Sequence, residues 1–153
     1  MTIKEILSVE RILPGLQGST KAEVIGEFAT LLEGEAPDMS AADLTEALLR
    51  RERLNSTAIG DGVAIPHGRV GGISNVIAAF GRSEAGVEFD SVDRKPTHLF
   101  FVLLAPEDAA AAHLKALARI SRLLKDGHFR ERLLALEGRE DLFDAILVED
   151  AKV

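Results

Sequence analysis

Residues 99–105 have the sequence LFFVLLA, an unbroken apolar run between His98 and Pro106. A run that does not alternate between apolar and polar residues predicts a β-strand that is covered on both faces of its sheet. Covering both faces requires elements packed on each side, so this stretch predicts a layered α/β fold.

The sequence before this run predicts two amphipathic helices and several short strands. Apolar residues at helical spacing follow Ser19 and Thr20 and predict a helix over residues 20–33. Ser40 and Asp43 resemble a capping box that opens a second helix through about Arg53. Its apolar side is predicted to hold Leu44, Leu48 and Leu49. Glycine-punctuated runs then predict strands at residues 57–59 and 63–65, a longer strand at 75–82, and a short additional strand at 87–89.

The sequence after Pro106 predicts a helical C-terminal region. Residues 107–125 have the pattern of a long helix, followed by two short ones. The apolar side of the long helix is predicted to hold Leu114, Leu117, Ile120, Leu123 and Leu124. Helices before, between and after strands predict an α/β sandwich, and no repeat or linker divides it, so residues 1–153 are interpreted as a single domain.

Composition narrows the class of protein. The chain has 153 residues, of which 46% are hydrophobic and 28% are charged, values typical of a globular fold. The net charge of −7 disfavours nucleic acid as a partner, and the absence of cysteine excludes a disulfide framework or a thiol nucleophile. The N-terminal stretch lacks the apolar core of a signal peptide and no segment has the length to cross a bilayer. We therefore expect a cytoplasmic protein without membrane association.

The segment 51–69, RERLNSTAIGDGVAIPHGR, contains the densest group of residues suited to chemistry. Pro66 fixes the backbone before His67, and Gly68 leaves room for a phosphoryl group to approach. Neutral imidazole is a nucleophile near neutral pH because its unperturbed pKa is about 6.5. This setting makes His67 a candidate phosphoryl acceptor.

A phosphoryl group on His67 would bring close to two negative charges and would need hydrogen-bond donors. Arg51 and Arg69 are donors of a suitable type. The hydroxyls of Ser56 and Thr57, and the backbone N–H groups of residues 60–62, are candidate neutral donors. Phosphoryl transfer mainly requires positioning and charge stabilisation, which a small site of this kind can supply.

Other interpretations of these motifs remain open on the residues alone. Residues 66–68 can equally form an ordinary surface turn with a solvated histidine. Residues 60–62 resemble the start of a dinucleotide fingerprint, but the third glycine is missing, and neither a P-loop nor a serine-nucleophile motif occurs, so no cofactor is predicted. His98, His113 and His128 are too widely spaced for a compact metal motif, so no metal site is predicted. His113 is either a helix-surface residue or a second imidazole that faces the site, and the pattern alone favours the helix surface.

Taken together, these motifs resemble a known family. The resemblance rests on Arg51-Glu52, on residues 56–69, on the strand that ends with residues 103–106, and on His113-Leu114 followed by residues 117–124. In order and spacing they are similar to the enzyme IIA domains of the bacterial phosphotransferase system (PTS), of the fructose, mannitol and nitrogen-regulatory type. Residues 66–69, PHGR, look more like the nitrogen-regulatory form than the mannitol form.

The resemblance implies a mixed β-sheet flanked by helices and a phosphotransferase component with a phosphohistidine intermediate. It implies that His67 accepts a phosphoryl group from an HPr-like phosphocarrier protein. His113 looks like the family's second histidine, which stabilises the phosphoryl group, and Arg51 looks like its site arginine. Ala58 departs from the nitrogen-regulatory pattern, which usually has glycine there, so strain is expected if this position needs a positive φ.

Three outputs remain open. We favour a regulatory phosphoswitch, in which target proteins distinguish the two charge states of the His67 face. The second interpretation is a free-standing sugar-specific enzyme IIA that passes phosphate to an enzyme IIB. The third is a partner-binding module that is never phosphorylated.

Overall fold

The computed structural model describes residues 1–152 as a six-stranded mixed sheet with helices on both faces. The first half contains β1 (Ile12–Leu13), α1 (Lys21–Leu32), α2 (Ala41–Leu54), β2 (Ala58–Gly60), β3 (Val63–Ala64) and β4 (His67–Val70). The second half contains β5 (Ile77–Val87), β6 (Thr97–Pro106), α3 (Ala110–Leu123), α4 (Gly127–Ala135) and α5 (Arg139–Asp150). Short 3-10 helices cover Ile3–Glu5, Val9–Arg11 and Glu33–Glu35.

Strand β6 lies inside the sheet and is buried on both faces, as its unbroken apolar sequence predicts. Alternate side chains enter two separate cores. Leu99, Phe101, Leu103 and Ala105 face the core that contains α3, α4 and α5. Phe100, Val102 and Leu104 face the core that contains α1 and α2. The α/β sandwich predicted from the sequence is therefore confirmed.

The two N-terminal helices begin where their capping signals predict. The Thr20 hydroxyl accepts a hydrogen bond from the Glu23 N–H at 3.2 Å, and the Ser40 hydroxyl accepts one from the Asp43 N–H at 3.1 Å. Each acidic side chain bonds back to the N-cap N–H, which completes a capping box. These caps fix the start of α2, and hence the position of the arginines at its C-terminal end.

The sheet order is β1-β5-β6-β3-β2, and β4 also pairs with β6. Strands β3 and β4 run parallel to β6 and share one side of it, since β3 pairs with its beginning and β4 with its end. The predicted extra strand at 87–89 is wrong, because β5 continues through a register shift to Val87. Strand β4 was not predicted, because Pro66 and the glycines at 68, 71 and 72 resemble a turn.

The C-terminal helices differ from the prediction in one functionally important detail. Helix α3 is shorter than predicted, and Leu114, placed on its apolar side by the sequence, is 66% exposed. Ile120, Leu123 and Leu124 are buried as predicted, and His113 and Ala116 are buried in addition. The two closing helices are confirmed as α4 and α5. None of the helices formed by residues 1–152 has the length and apolar character needed to cross a membrane.

Candidate functional site

His67 is the first residue of β4, and its position is fixed by the sheet. It pairs with Leu103 in β6, and the preceding Pro66 carbonyl accepts a hydrogen bond from the Leu103 N–H at 2.9 Å. The solvated surface turn considered from the sequence is therefore wrong, since the ring is half-buried at a strand end. Its Nδ1 lies 2.7 Å from the Ile65 carbonyl oxygen, so Nδ1 carries the proton and donates it there. This contact leaves Nε2 as the basic, nucleophilic nitrogen of the neutral ring.

His113 meets His67 from the first turns of α3. The two ring centroids are 5.2 Å apart and the rings cross at 76°, an edge-to-face arrangement. His113 is only 6% exposed, and its Nε2 has no hydrogen-bond partner among residues 1–152. The interpretation of His113 as a helix-surface residue, based on pattern alone, is therefore wrong. A buried ring nitrogen without a partner is costly, which favours a site where a ligand supplies the missing partner.

Three arginines surround the imidazole pair. An open pocket of about 390 Å³ is lined by His67, Gly68, His113, Arg50, Arg51, Arg69, Ala47 and Leu54. Arg50 and Arg51 come from the last turns of α2, and Arg69 follows His67 in β4. The structure thus brings together the predicted acceptor His67, the predicted second histidine His113 and the predicted site arginine Arg51, with the phosphoryl-binding candidates Gly68 and Arg69. The pocket is a basic site in a protein of net charge −7.

Arg51 is held in a defined orientation by the end of its own helix. Its Nη1 donates to the Asn55 carbonyl oxygen at 2.9 Å and to the Asn55 side-chain oxygen at 3.1 Å. Its Nε–H and Nη2 groups have no acceptor within the part of the chain that the structure describes. A guanidinium held at one nitrogen and free at the others is suited to bind phosphoryl oxygens.

The pocket keeps both imidazoles neutral. Burial lowers the pKa of His67 below its ordinary 6.5, and the Arg51 charge lowers it further, while the Ile65 carbonyl and the Glu52 charge act in the opposite direction. Burial lowers the pKa of His113 to about 4, assisted by His67, Arg69 and Arg51. At neutral pH both rings are therefore uncharged, so His67 has the lone pair needed for attack and the pocket's positive charge comes from its arginines.

The hydroxyl candidates Ser56 and Thr57 lie beside the pocket but contact other groups. The Ser56 hydroxyl donates to the Phe89 carbonyl oxygen, and the Thr57 hydroxyl donates to the Glu52 carboxylate. Neither residue lines the pocket. Their assignment as phosphoryl-binding residues stays a prediction, but the observed contacts give both hydroxyls a structural use.

The glycine loop at residues 60–62 lies away from His67. It is the turn of the β2–β3 hairpin, with positive φ at Gly60, Asp61 and Gly62. Strand β3 meets β6 at Leu99 whereas His67 meets it at Leu103, a separation of about 13 Å along the strand. The loop's N–H groups are therefore too far away to cradle a group on His67. Ala58 lies in β2 and is not among the positive-φ residues, so the expected strain is absent.

The remaining histidines and a second, larger cavity lie outside this site. A cavity of about 800 Å³ is lined by residues that include Arg82 and His98. Arg82 donates to backbone carbonyl oxygens at Pro14 and at the end of α4, so it acts as a structural cap, and His98 Nδ1 contacts the Ser83 carbonyl oxygen at 2.9 Å. His128 is exposed near the start of α4. Among residues 1–152, no three metal-ligating side chains are grouped.

Sequence reasoning used Glu52 as part of a motif but gave it no role, and its side chain is 2% exposed beside the site. It accepts hydrogen bonds from the Thr57 N–H at 3.2 Å and from Lys21 Nζ at 3.1 Å. A signal was present, because Glu52 continues the i, i+4 stripe of Leu44 and Leu48 on the buried face of α2. A carboxylate at the end of an apolar stripe indicates a buried polar contact.

Comparisons with known proteins agree with this architecture. Residues 5–148 match the family described as phosphoenolpyruvate-dependent sugar phosphotransferase system, EIIA 2. The nitrogen regulatory protein of Bradyrhizobium diazoefficiens is 38% identical over 151 residues, which cover 99% of this chain and 98% of that protein. The fructose-specific EIIABC component of Bacillus subtilis is 40% identical over 152 residues, 98% of this chain but 24% of that longer protein.

A solved structure extends the similarity to three dimensions. The crystal structure of the nitrogen regulatory protein IIA-Ntr from Neisseria meningitidis superposes with a TM-score of 0.89 at 38% identity, covering 94% of this chain and 98% of that one. The resemblance inferred from the motifs around His67, and the mixed-sheet fold that it implied, are therefore confirmed.

Proposed function

The chain belongs to the EIIA 2 family of the phosphoenolpyruvate-dependent sugar phosphotransferase system, and we propose that it carries a phosphoryl group on Nε2 of His67. The observation that carries the proposal is the Nδ1 contact with the Ile65 carbonyl at 2.7 Å, which selects the tautomer whose free nitrogen is Nε2. The donor is a phosphohistidine of an HPr-like protein. His67 attacks its phosphorus, the donor's P–N bond breaks, and a new P–N bond forms on Nε2.

Each neighbouring group has a role in this transfer. The Ile65 carbonyl stabilises the positive charge that the ring gains as Nε2 forms its second bond. Arg51 offers its free N–H groups to the phosphoryl oxygens, and Arg69 adds positive charge at the same pocket. His113 donates from Nε2, the buried nitrogen without a protein partner, to a phosphoryl oxygen. No metal is required, because the arginines supply the charge.

The output of the transfer is regulatory in this proposal. Similarity over the full length of a nitrogen regulatory protein supports this interpretation. Phosphorylation places about two negative charges in a pocket lined by three arginines. Target proteins that bind this face then distinguish the two states by charge and shape.

A second candidate is a free-standing sugar-specific enzyme IIA. The 40% identity to a fructose-specific EIIABC component favours it. In that case His67 passes its phosphoryl group to an enzyme IIB. The two candidates share the first transfer and differ in the second, so formation of a sugar phosphate with an enzyme IIB and its permease would decide for transport.

The first transfer is tested by intact mass spectrometry. The protein is incubated with enzyme I, phosphoenolpyruvate and an HPr-type carrier, alongside the variants His67→Ala and His128→Ala. We expect a carrier-dependent, acid-labile gain of one phosphoryl group in the wild type and in His128→Ala, whose histidine is exposed elsewhere. His67→Ala should show no gain while keeping its circular dichroism spectrum.

Two results would contradict the proposal. A phosphoryl gain that persists in His67→Ala would place the acceptor elsewhere. No gain in the wild type with any HPr-type carrier would instead favour the partner-binding module, and partner binding unaffected by His67→Ala would then support that alternative.

A further inference from the structure

A buried carboxylate beside an anion-binding pocket is an unusual feature of this site. Glu52 directly follows Arg51 in α2, yet its side chain points into the protein and is 2% exposed. A negative charge near the pocket weakens phosphoryl binding, so we expect Glu52 to contribute to the site in another way. Its contacts indicate what that role is.

Glu52 closes the turn that follows α2. One carboxylate oxygen accepts the Thr57 N–H at 3.2 Å, and the other accepts the Thr57 hydroxyl. Arg51 closes the same turn from its other side through its two contacts with Asn55. Two consecutive residues therefore fasten the segment 51–57, one from the buried side and one from the pocket side. The helix ends at Asn55 in an extended conformation, without a glycine cap, so these contacts define its end.

Lys21 connects this turn to the rest of the molecule. Its ammonium lies 3.1 Å from Glu52 Oε1 and 3.1 Å from Asp90, and 4.7 Å from the centre of the Phe89 ring. It neutralises the Glu52 charge and anchors the turn to α1 and to the segment after β5. The end of α2 is thus tied to two other elements through one carboxylate.

We propose that Glu52 is a positioning residue, whose fully bonded carboxylate holds the segment 51–57 so that the Arg51 guanidinium faces the phosphoryl pocket. This role rests on the proposed phosphoryl-carrier function. It also gives the Ser-Thr pair a purpose, since Thr57 supplies two of the donors that bind Glu52.

The kinetic test uses Glu52→Gln, which keeps the shape of the side chain and removes its charge. The matched control is Glu46→Gln, on the same helix, where the carboxylate is exposed and pairs with Arg53 at 2.8 Å. At saturating carrier, we expect phosphoryl transfer to His67 to slow by about tenfold in Glu52→Gln, the value of one lost charge-assisted hydrogen bond. The control should be unchanged.

A double-mutant cycle separates positioning from general stability. In an Arg51→Ala background, Glu52→Gln should have little further effect on the transfer rate, because its effect passes through Arg51. An equal slowing with and without Arg51 would overturn the proposal and leave Glu52 with a purely structural role. If Glu52→Gln does not fold, Thr57→Val removes only the hydroxyl donor and carries the same test.

A spectroscopic arm distinguishes failure of this role from failure of the proposed function. In Glu52→Gln, the chemical shift of the Arg51 Nε–H should move towards that of a solvated arginine, and this proton should exchange faster with water. Both changes should occur whether or not the protein accepts phosphate. The charged groups around His67 are Arg50, Arg51 and Glu52 from α2 and Arg69 from β4, while His113 faces it from α3 as a neutral ring. Removing the Glu52 charge should therefore lower the His67 pKa. An unchanged Arg51 resonance would overturn the positioning role even if transfer is confirmed.

Discussion

The pH dependence of stability gives a direct test of how His113 is buried. Its pKa is about 4 in the folded protein against 6.5 for a solvated histidine. The contribution of His113 to the free energy of unfolding is complete above the unfolded pKa of 6.5. It is lost as the pH falls from 6.5 towards 4, because the unfolded chain then binds a proton on this histidine and the folded protein does not. Between about pH 7 and about pH 5, His113 should lower the free energy of unfolding by about 1–2 kcal/mol, the smaller figure allowing for water in the open pocket.

The assay is urea unfolding at the two pH values, followed by far-UV circular dichroism because the chain has neither tryptophan nor tyrosine. His113→Gln should lose about 1–2 kcal/mol less than the wild type between the two pH values. The comparison uses the change with pH, so an unequal stability at neutral pH does not affect it. His128→Gln, at an exposed position, is the control and should follow the wild type. Equal pH-dependent losses in His113→Gln and the wild type would refute the inference that burial holds this ring neutral.

Three further substitutions test the fold that presents the site, each by urea unfolding at neutral pH. Gly81→Ala should cost about 1–3 kcal/mol, because the added methyl group would lie 2.5 Å from the Phe28 ring; no loss would mean that the core between the sheet and α1 adjusts easily. Ser40→Ala should cost about 1 kcal/mol by removing the cap of α2, and an unchanged midpoint would show the cap to be dispensable. Asp150→Ala should cost about 3–5 kcal/mol, because it leaves the Ile3 N–H and the Arg119 guanidinium without their buried acceptor; a loss below about 1 kcal/mol would contradict this.

The sequence predicted the features that depend on local patterns. The unbroken run at 99–105 has no polar face, so its double burial followed from composition alone. The N-terminal ends of α1 and α2 were predicted because Thr20 and Ser40 satisfy the first N–H groups of each helix in a way that few other residues can. These signals involve residues within one turn of each other, where tertiary context changes little.

The sequence failed where distant segments decide the outcome. Strand β4 has no strand pattern of its own. It forms because β3 pairs only with the beginning of β6, so that the backbone groups at the end of β6 are free to pair with β4. His113 was assigned to the helix surface because Leu114 is the more hydrophobic neighbour, yet a rotation of one residue along α3 places the histidine against His67 and leaves Leu114 exposed. The contact between the rings overrides the apolar pattern, which is expected if a site rather than a core determines the packing there.

The charge of the pocket explains how one phosphoryl group on His67 could change the electrostatic charge of the surface around it. Both histidines are neutral, so the arginines 50, 51 and 69 set the local charge at about plus three in a chain of net charge −7. A phosphoryl group with about two negative charges cancels most of it without requiring any helix to move. If the proposed function holds, we expect a partner with an acidic surface to be attracted to the unmodified face and to lose most of that attraction after transfer. The rigid strand pairing of His67 with Leu103 supports a switch of this kind, because the signal is the charge at a fixed position rather than a change of fold.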